Sequence, residues 1–224
     1  MKRRQFVSLI ASASALPACL FAQTPVGAPM TDPVENDDDD WKLWWDARLQ
    51  ALERVLGKSE EIVGHALVPF YMGSDVGGAA DLLYFRKHVA GSISVTADLI
   101  GYDTLPRNAQ GFYELMICHR DDDVVGPNII SRLASYAVRV RLQPGETMDI
   151  SSAVPTGATT TAFLFCDYAR FKVREQEAGL LLCIGITQSE LSRCRAGHAE
   201  FVEAQLRSTG VFPFTDWYRA SVAK

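Results

Sequence analysis

Two rhythms of apolar residues run along the chain. Trp41, Trp44, Trp45, Leu49, Leu52, Val55 and Leu56 recur at three- and four-residue spacing. That spacing predicts an amphipathic helix packed on the body of the protein and stopped at Gly57, with Asp40 as its cap. A two-residue rhythm follows. Residues 65–70 and 81–85 read as strands on either side of a Gly77-Gly78 turn. Ile93, Val95, Ala97 and Leu99 alternate with Ser94, Thr96 and Asp98, the pattern of a half-buried strand. Residues 112–118 are more apolar and predict a central strand. Asp121 to Asp123 and Gly126-Pro127 read as a loop, after which Asn128 caps a helix carrying Ile130, Leu133, Ala134 and Ala137. Residues 159–166 and 180–186 read as two further strands, with the charged stretch 170–177 as an exposed connection between them.

The last third is helical. Thr187-Gln188-Ser189-Glu190 has the spacing of a capping box, in which the Thr hydroxyl and Glu carboxylate each satisfy a free backbone N–H of the other. A short helix ending near Gly197 follows, then a second over 199–208 closed by Gly210. The aromatic tail 211–219 is expected to pack back onto the body. Strands first and helices at the ends predict an α+β domain with one mixed, mostly antiparallel sheet flanked by helices.

The first forty residues do not share either rhythm. Lys2, Arg3 and Arg4 precede a mildly apolar, Ala- and Ser-rich stretch, the layout of a cleavable export signal over 1–22. Arg3-Arg4-x-Phe6-Val7 resembles a twin-arginine signal, although paired basic residues also suit the general secretory route. Leu16-Pro17-Ala18-Cys19 resembles a lipobox, which would lipidate Cys19; ordinary cleavage near Ala22 is the alternative. Residues 23–40 read as an acidic linker, leaving 41–224 as the folded domain. The expected address is the periplasm or the periplasmic face of a bacterial membrane.

Composition sharpens this reading. The 224 residues carry a net charge of -5, and removal of 1–22 takes away three cations and makes it -8. An acidic chain excludes nucleic acid as the expected partner, because phosphate binding needs a cationic face. No apolar run reaches the roughly 18–20 residues of a membrane span. Gly73-Ser74-Asp75-Val76-Gly77-Gly78 has no following lysine or helix, so no phosphate loop and no cofactor is called. Beyond Cys19, the cysteines are Cys118, Cys166, Cys183 and Cys194. An even count permits two disulfides, while the placement of three of them in apolar strands favours buried free thiols. Cys118-His119 and Cys194-x-x-x-His198 lack the doubled spacing of a zinc site, and no metal is called. Only four histidines are present, His65, His88, His119 and His198, and none sits in a nucleophile motif.

One pattern is more specific. Gly179-Leu180-Leu181-Leu182-Cys183-Ile184-Gly185-Ile186-Thr187-x-x-Glu190-Leu191 precedes Phe201-x5-Arg207-x-x-Gly210-Val211-x-Pro213-x-Thr215-Asp216-x-x-Arg219-x-Ser221. Together with residues 112–116 and Ile130-x-x-Leu133-Ala134-x-Tyr136, this resembles the suppressor-of-fused domain family over about residues 60–222. The resemblance implies an α+β domain without known catalysis that binds a protein partner. Animal members grip a transcription factor peptide as an added strand between two domains, and bacterial members are similar to immunity proteins that neutralise toxins. This chain is too short for the second domain, and its export signal sets it apart from cytosolic antitoxins. The residues Gly185, Thr187, Glu190, Gly210, Pro213, Thr215, Asp216 and Arg219 are expected to be structural, with Asp216 and Arg219 spaced to pair. The functional expectation is a non-enzymatic binding module with a basic protein partner. The alternative is a small exported hydrolase using His65, His88 or His119 with a nearby carboxylate.

Overall fold

A computed structural model describes residues 37–101 and 107–223, with residues 37–39, 71 and 74 described by backbone alone. The expected export signal, Cys19 and linker residues 23–36 lie outside the described residues.

The first described element is helix α1, Asp37–Leu56. Strands β1 (Val63–Gly64), β2 (Leu82–Phe85), β3 (Ser92–Thr96) and β4 (Phe112–His119) come next, followed by helix α2, Val125–Ala137. Strands β5 (Thr147–Asp149), β6 (Thr160–Val173) and β7 (Gln176–Thr187) lead into helices α3 (Gln188–Arg193) and α4 (Ala199–Ser208). The strands form one sheet in the order β1-β2-β3-β4-β7-β6-β5. Every neighbour is antiparallel except β4 and β7, which run parallel in register from Phe112 opposite Ala178 to Met116 opposite Leu182.

The alternation along β7 explains the layers. Leu180, Leu182, Ile184 and Ile186 point to the face covered by Leu52 and Leu56 of α1 and Val202 and Leu206 of α4. Leu181 and Cys183 point to the other face, where Ile130, Leu133 and Ala134 of α2 cover them. Both faces of the central strands are therefore mainly apolar, as the largely apolar run at 112–118 predicted.

Several expected elements differ in the structure. Residues 65–70 do not form a strand. Only Val63–Gly64 pairs with β2, and a 3-10 turn follows at Phe70–Met72. Pro69 has no N–H to give a ladder, and Leu67 is fully exposed at 102%, so no apolar face drives pairing there. β3 ends at Thr96 because Leu99 N and Ile100 N turn inward and donate to Glu114 Oε1 at 3.0 and 2.9 Å. Helix α2 starts at Val125, not at Asn128; the Asp123 carboxylate accepts the Gly126 N–H at 2.8 Å, and Pro127 occupies the first turn, where its missing donor costs nothing.

The stretch 170–177 is not a loose connection. It forms the end of a long β6–β7 hairpin that turns on Arg174 and Glu175, at φ 46° and 66°. Two consecutive positive φ values are what a tight hairpin turn with the twist of its strands requires. Asp40 lies inside α1 and does not cap it; it pairs instead with Arg174 at the hairpin tip, 2.8 Å away.

Candidate functional site

The strands β4 and β7 separate beyond Met116 and Leu182, and the C-terminal tail enters the gap. Phe214 bridges to Cys118 in parallel, and Thr215 N donates to Cys118 O at 2.8 Å. On the β7 side, Gly185 N donates to Thr215 Oγ1 at 2.9 Å. Trp217 O accepts from Thr159 N and Thr160 N at 2.8 and 3.1 Å, and Thr160 Oγ1 donates to Asp216 O at 2.8 Å. Gly185 permits this fit, because a Cβ there would lie 2.5 Å from Thr160 Cγ2 and 2.7 Å from Thr215 Cγ2.

The tail is then locked by an ion pair. Arg219 grips Glu190 with two parallel bonds, Nη1 to Oε1 at 2.8 Å and Nη2 to Oε2 at 2.6 Å, and Nη2 also donates to Gly185 O at 2.9 Å. Glu190 is fully buried. It closes the capping box, accepting from Thr187 N at 2.8 Å, and accepts Val222 N at 2.7 Å. Burial alone would raise its pKa, but Arg219 and the two amides hold the carboxyl below its ordinary value. Asp216 does not pair with Arg219. Its Oδ1 accepts from Tyr218 N at 2.9 Å and shapes the tail backbone. Of the expected motif residues, Gly185, Thr187, Glu190, Thr215, Asp216 and Arg219 thus meet in one network, while Gly210 (φ 72°) and Pro213 turn the chain toward it.

The histidines do not converge. His65 Nδ1 lies 2.8 Å from Asp81 Oδ2 near the start of α1. His88 Nε2 lies 3.0 Å from the Tyr168 hydroxyl. His119 is buried, with Nε2 3.1 Å from Asp123 Oδ2 and its ring tilted against Trp217. Burial lowers its pKa, against the pull of Asp123. His198 is exposed at the wide turn between α3 and α4, where Gly197 takes φ 96°. Among the described residues, no hydroxyl or thiol bonds to the His65–Asp81 or His119–Asp123 pair. Nor does any group of three or more His, Cys, Asp or Glu stand together to hold a metal. Cys118, Cys166, Cys183 and Cys194 are free and buried, which excludes the two-disulfide arrangement. Burial raises all four thiols, Cys194 to about 11.

Two further groupings escape the sequence pattern. Glu114, in the middle of apolar β4, is fully buried. It accepts from Thr96 Oγ1 at 2.6 Å and from the Leu99 and Ile100 amides, with Arg48 Nε 3.9 Å away. Burial pushes it up to about 7. An acid in the middle of an otherwise apolar strand was the signal that could have found it. The second grouping is a cleft of about 240 Å³ between the start of α1 and the 65–70 segment, lined by Trp41, His65, Phe70, Asp81 and Asp98 among others.

No helix among the described residues is long and apolar enough to cross a membrane. No protein-family model and no curated protein matches the chain. Solved structures do. The chain has a suppressor-of-fused-like fold. A suppressor-of-fused homologue from Neisseria gonorrhoeae FA 1090 superposes with a TM-score of 0.59 at 16% identity, over 81% of this chain and 97% of that one. The structure of the Sufu-Fu complex gives a TM-score of 0.60 at 11% identity, over 80% and 92%. Drosophila Suppressor of Fused gives 0.58 at 12% identity, over 79% of this chain but 51% of its own, so this chain spans about half of that protein.

Proposed function

We propose that this protein is a non-enzymatic protein-binding module that leaves the cytoplasm and holds a basic protein partner. The observation that carries the reading is the shared fold. The chain superposes on 92% of a chain in the structure of the Sufu-Fu complex. Its most specific sequence motif is spent on locking the tail, not on assembling a reaction centre. The surface is left to recognise a partner, and its net negative charge favours a cationic one during encounter. The cationic start of the chain supports export over residues 1–22, with Cys19 as a lipid-anchor point, and a toxin acting in the periplasm is a fitting partner for an immunity-type inhibitor.

Affinity-tagged full-length protein, expressed in a Gram-negative host and crosslinked before lysis, tests this. A protein enriched from the periplasmic extract that rebinds when purified supports the reading. Recovery of nothing above an untagged control at low salt contradicts it, and so does confinement of the chain to the cytosol.

A further inference from the structure

We infer that the cleft beside the start of α1 receives one cationic side chain, Lys or Arg, from the partner, with neighbouring apolar residues of that partner resting on Leu67 and Trp41. The inference rests on the proposed binding role and names the contact through which it operates.

The cleft has a charged floor. Asp81 is fully used, since Oδ1 accepts Ala66 N at 2.8 Å and Oδ2 faces His65 Nδ1 at 2.8 Å. Asp98 is half used. Its Oδ2 accepts Asp81 N at 2.7 Å, while Oδ1 accepts no hydrogen bond from the described residues. The nearby cation, Arg48, is committed elsewhere: Nη1 donates to Ile100 O at 2.7 Å and Nε faces Glu114. Burial raises the pKa of Asp98, the mark of a carboxylate short of compensation. A guanidinium or ammonium entering the cleft would supply the missing donor as a charge-assisted bond.

The walls and the rim fit the same guest. Trp41 and Phe70 are among the lining residues, and Trp41, half exposed and stacked on Trp45 on one side, offers an aromatic surface that attracts a cation held against it. At about 240 Å³ the space is smaller than the roughly 300–1,000 Å³ of sites that enclose whole small ligands, and it suits a single side chain. Leu67 is exposed at 102% and Trp41 at 50%. Leu67 is the next residue in the chain after the lining residue Ala66, so an exposed apolar residue adjoins an acidic cleft. That combination matches a cation flanked by apolar residues in an extended partner segment.

The test pans a phage-displayed 12-residue peptide library against the full chain, then measures the leading peptide by fluorescence anisotropy. Wild type, Asp98→Asn and Trp41→Ala are compared, with circular dichroism confirming the fold of each variant. Selected peptides are expected to share a Lys or Arg beside apolar residues. Asp98→Asn should weaken binding about tenfold or more, as for a lost hydrogen bond to a charged group. Replacing the peptide's cation with Gln should cost as much, with no added loss when both changes are combined. Trp41→Ala should also weaken binding. Peptides that bind without a cation, or that bind Asp98→Asn as tightly as wild type, overturn the cleft while leaving the binding role intact. No enriched peptide, together with no partner from the crosslinking experiment, overturns both.

Discussion

Arg219→Ala should be among the most damaging single substitutions in the chain. Arg219 is 9% exposed and Glu190 is fully buried. The substitution removes three bonds made by the guanidinium to Glu190 and Gly185, of 2.8, 2.6 and 2.9 Å. It leaves Glu190 buried with only the Thr187 and Val222 amides and the Ser221 hydroxyl, 3.3 Å away. Breaking a buried pair by deleting one partner costs about 3–5 kcal/mol, because the remaining charge stays uncompensated. Whole domains are stable by only about 5–15 kcal/mol. Equilibrium urea unfolding followed by circular dichroism should show a midpoint lowered accordingly, with the slope unchanged. Glu190→Ala in the same background should add little, since no charge remains to strand. A loss below about 1 kcal/mol for Arg219→Ala, or strict additivity in the double variant, would refute the view that this pair locks the tail.

Other predictions bear on different parts of the structure. Gly126→Ala would place a Cβ 2.2 Å from His119 Nε2 and should cost about 1–3 kcal/mol in the same unfolding assay. His119 has a folded pKa below its ordinary 6.5, so the unfolded chain takes up a proton first. Its contribution is therefore complete above about pH 6.5 and is lost as pH falls toward the folded value, and His119→Gln should flatten that slope in thermal melts from pH 7 to 5. Glu114 has the opposite sign: with its pKa at about 7, its contribution is complete below about pH 4.5 and is lost as pH rises through 7. Side-chain carboxyl NMR should show a titration near 7 that disappears in Glu114→Gln. The thiols of Cys118, Cys166, Cys183 and Cys194 should resist a thiol reagent in the native state and react in denaturant; rapid native labelling of these positions would contradict their burial.

The sequence was most readable where periodicity and burial coincide. The apolar runs at 180–186 and at 112–118, the latter interrupted only by Glu114, correspond to β7 and β4, the centre of the sheet. The capping box at Thr187 and Glu190 appears as read, because it is a local exchange of hydrogen bonds that needs no distant partner. Reading failed where a distant group takes over. Residues 97–100 keep the alternation of a strand, yet the Leu99 and Ile100 amides bond to Glu114 and leave the ladder. Residues 170–177 look like a polar loop because they are charged, and those charges pair along β6, across the hairpin and with α1: Arg170 with Asp167, Lys172 with Glu177, Arg174 with Asp40. Asp216 and Arg219 have the spacing of a helical pair, but the tail is not helical, and Arg219 reaches Glu190 instead. The binding cleft gave no signal at all. Trp41, His65, Asp81 and Asp98 are far apart in sequence, and they meet only because β2 pairs with β3, Asp81 holds the 65–66 segment and the start of α1 lies alongside.

The central claim is that this fold holds a protein partner and catalyses nothing. The most direct test is calorimetric titration of the purified full chain with the protein recovered by periplasmic crosslinking, at two salt concentrations. Saturable binding near one to one, weakened at higher salt, with the partner recovered chemically unchanged, is the predicted result. No heat of binding, or a partner recovered cleaved or otherwise modified, would contradict it.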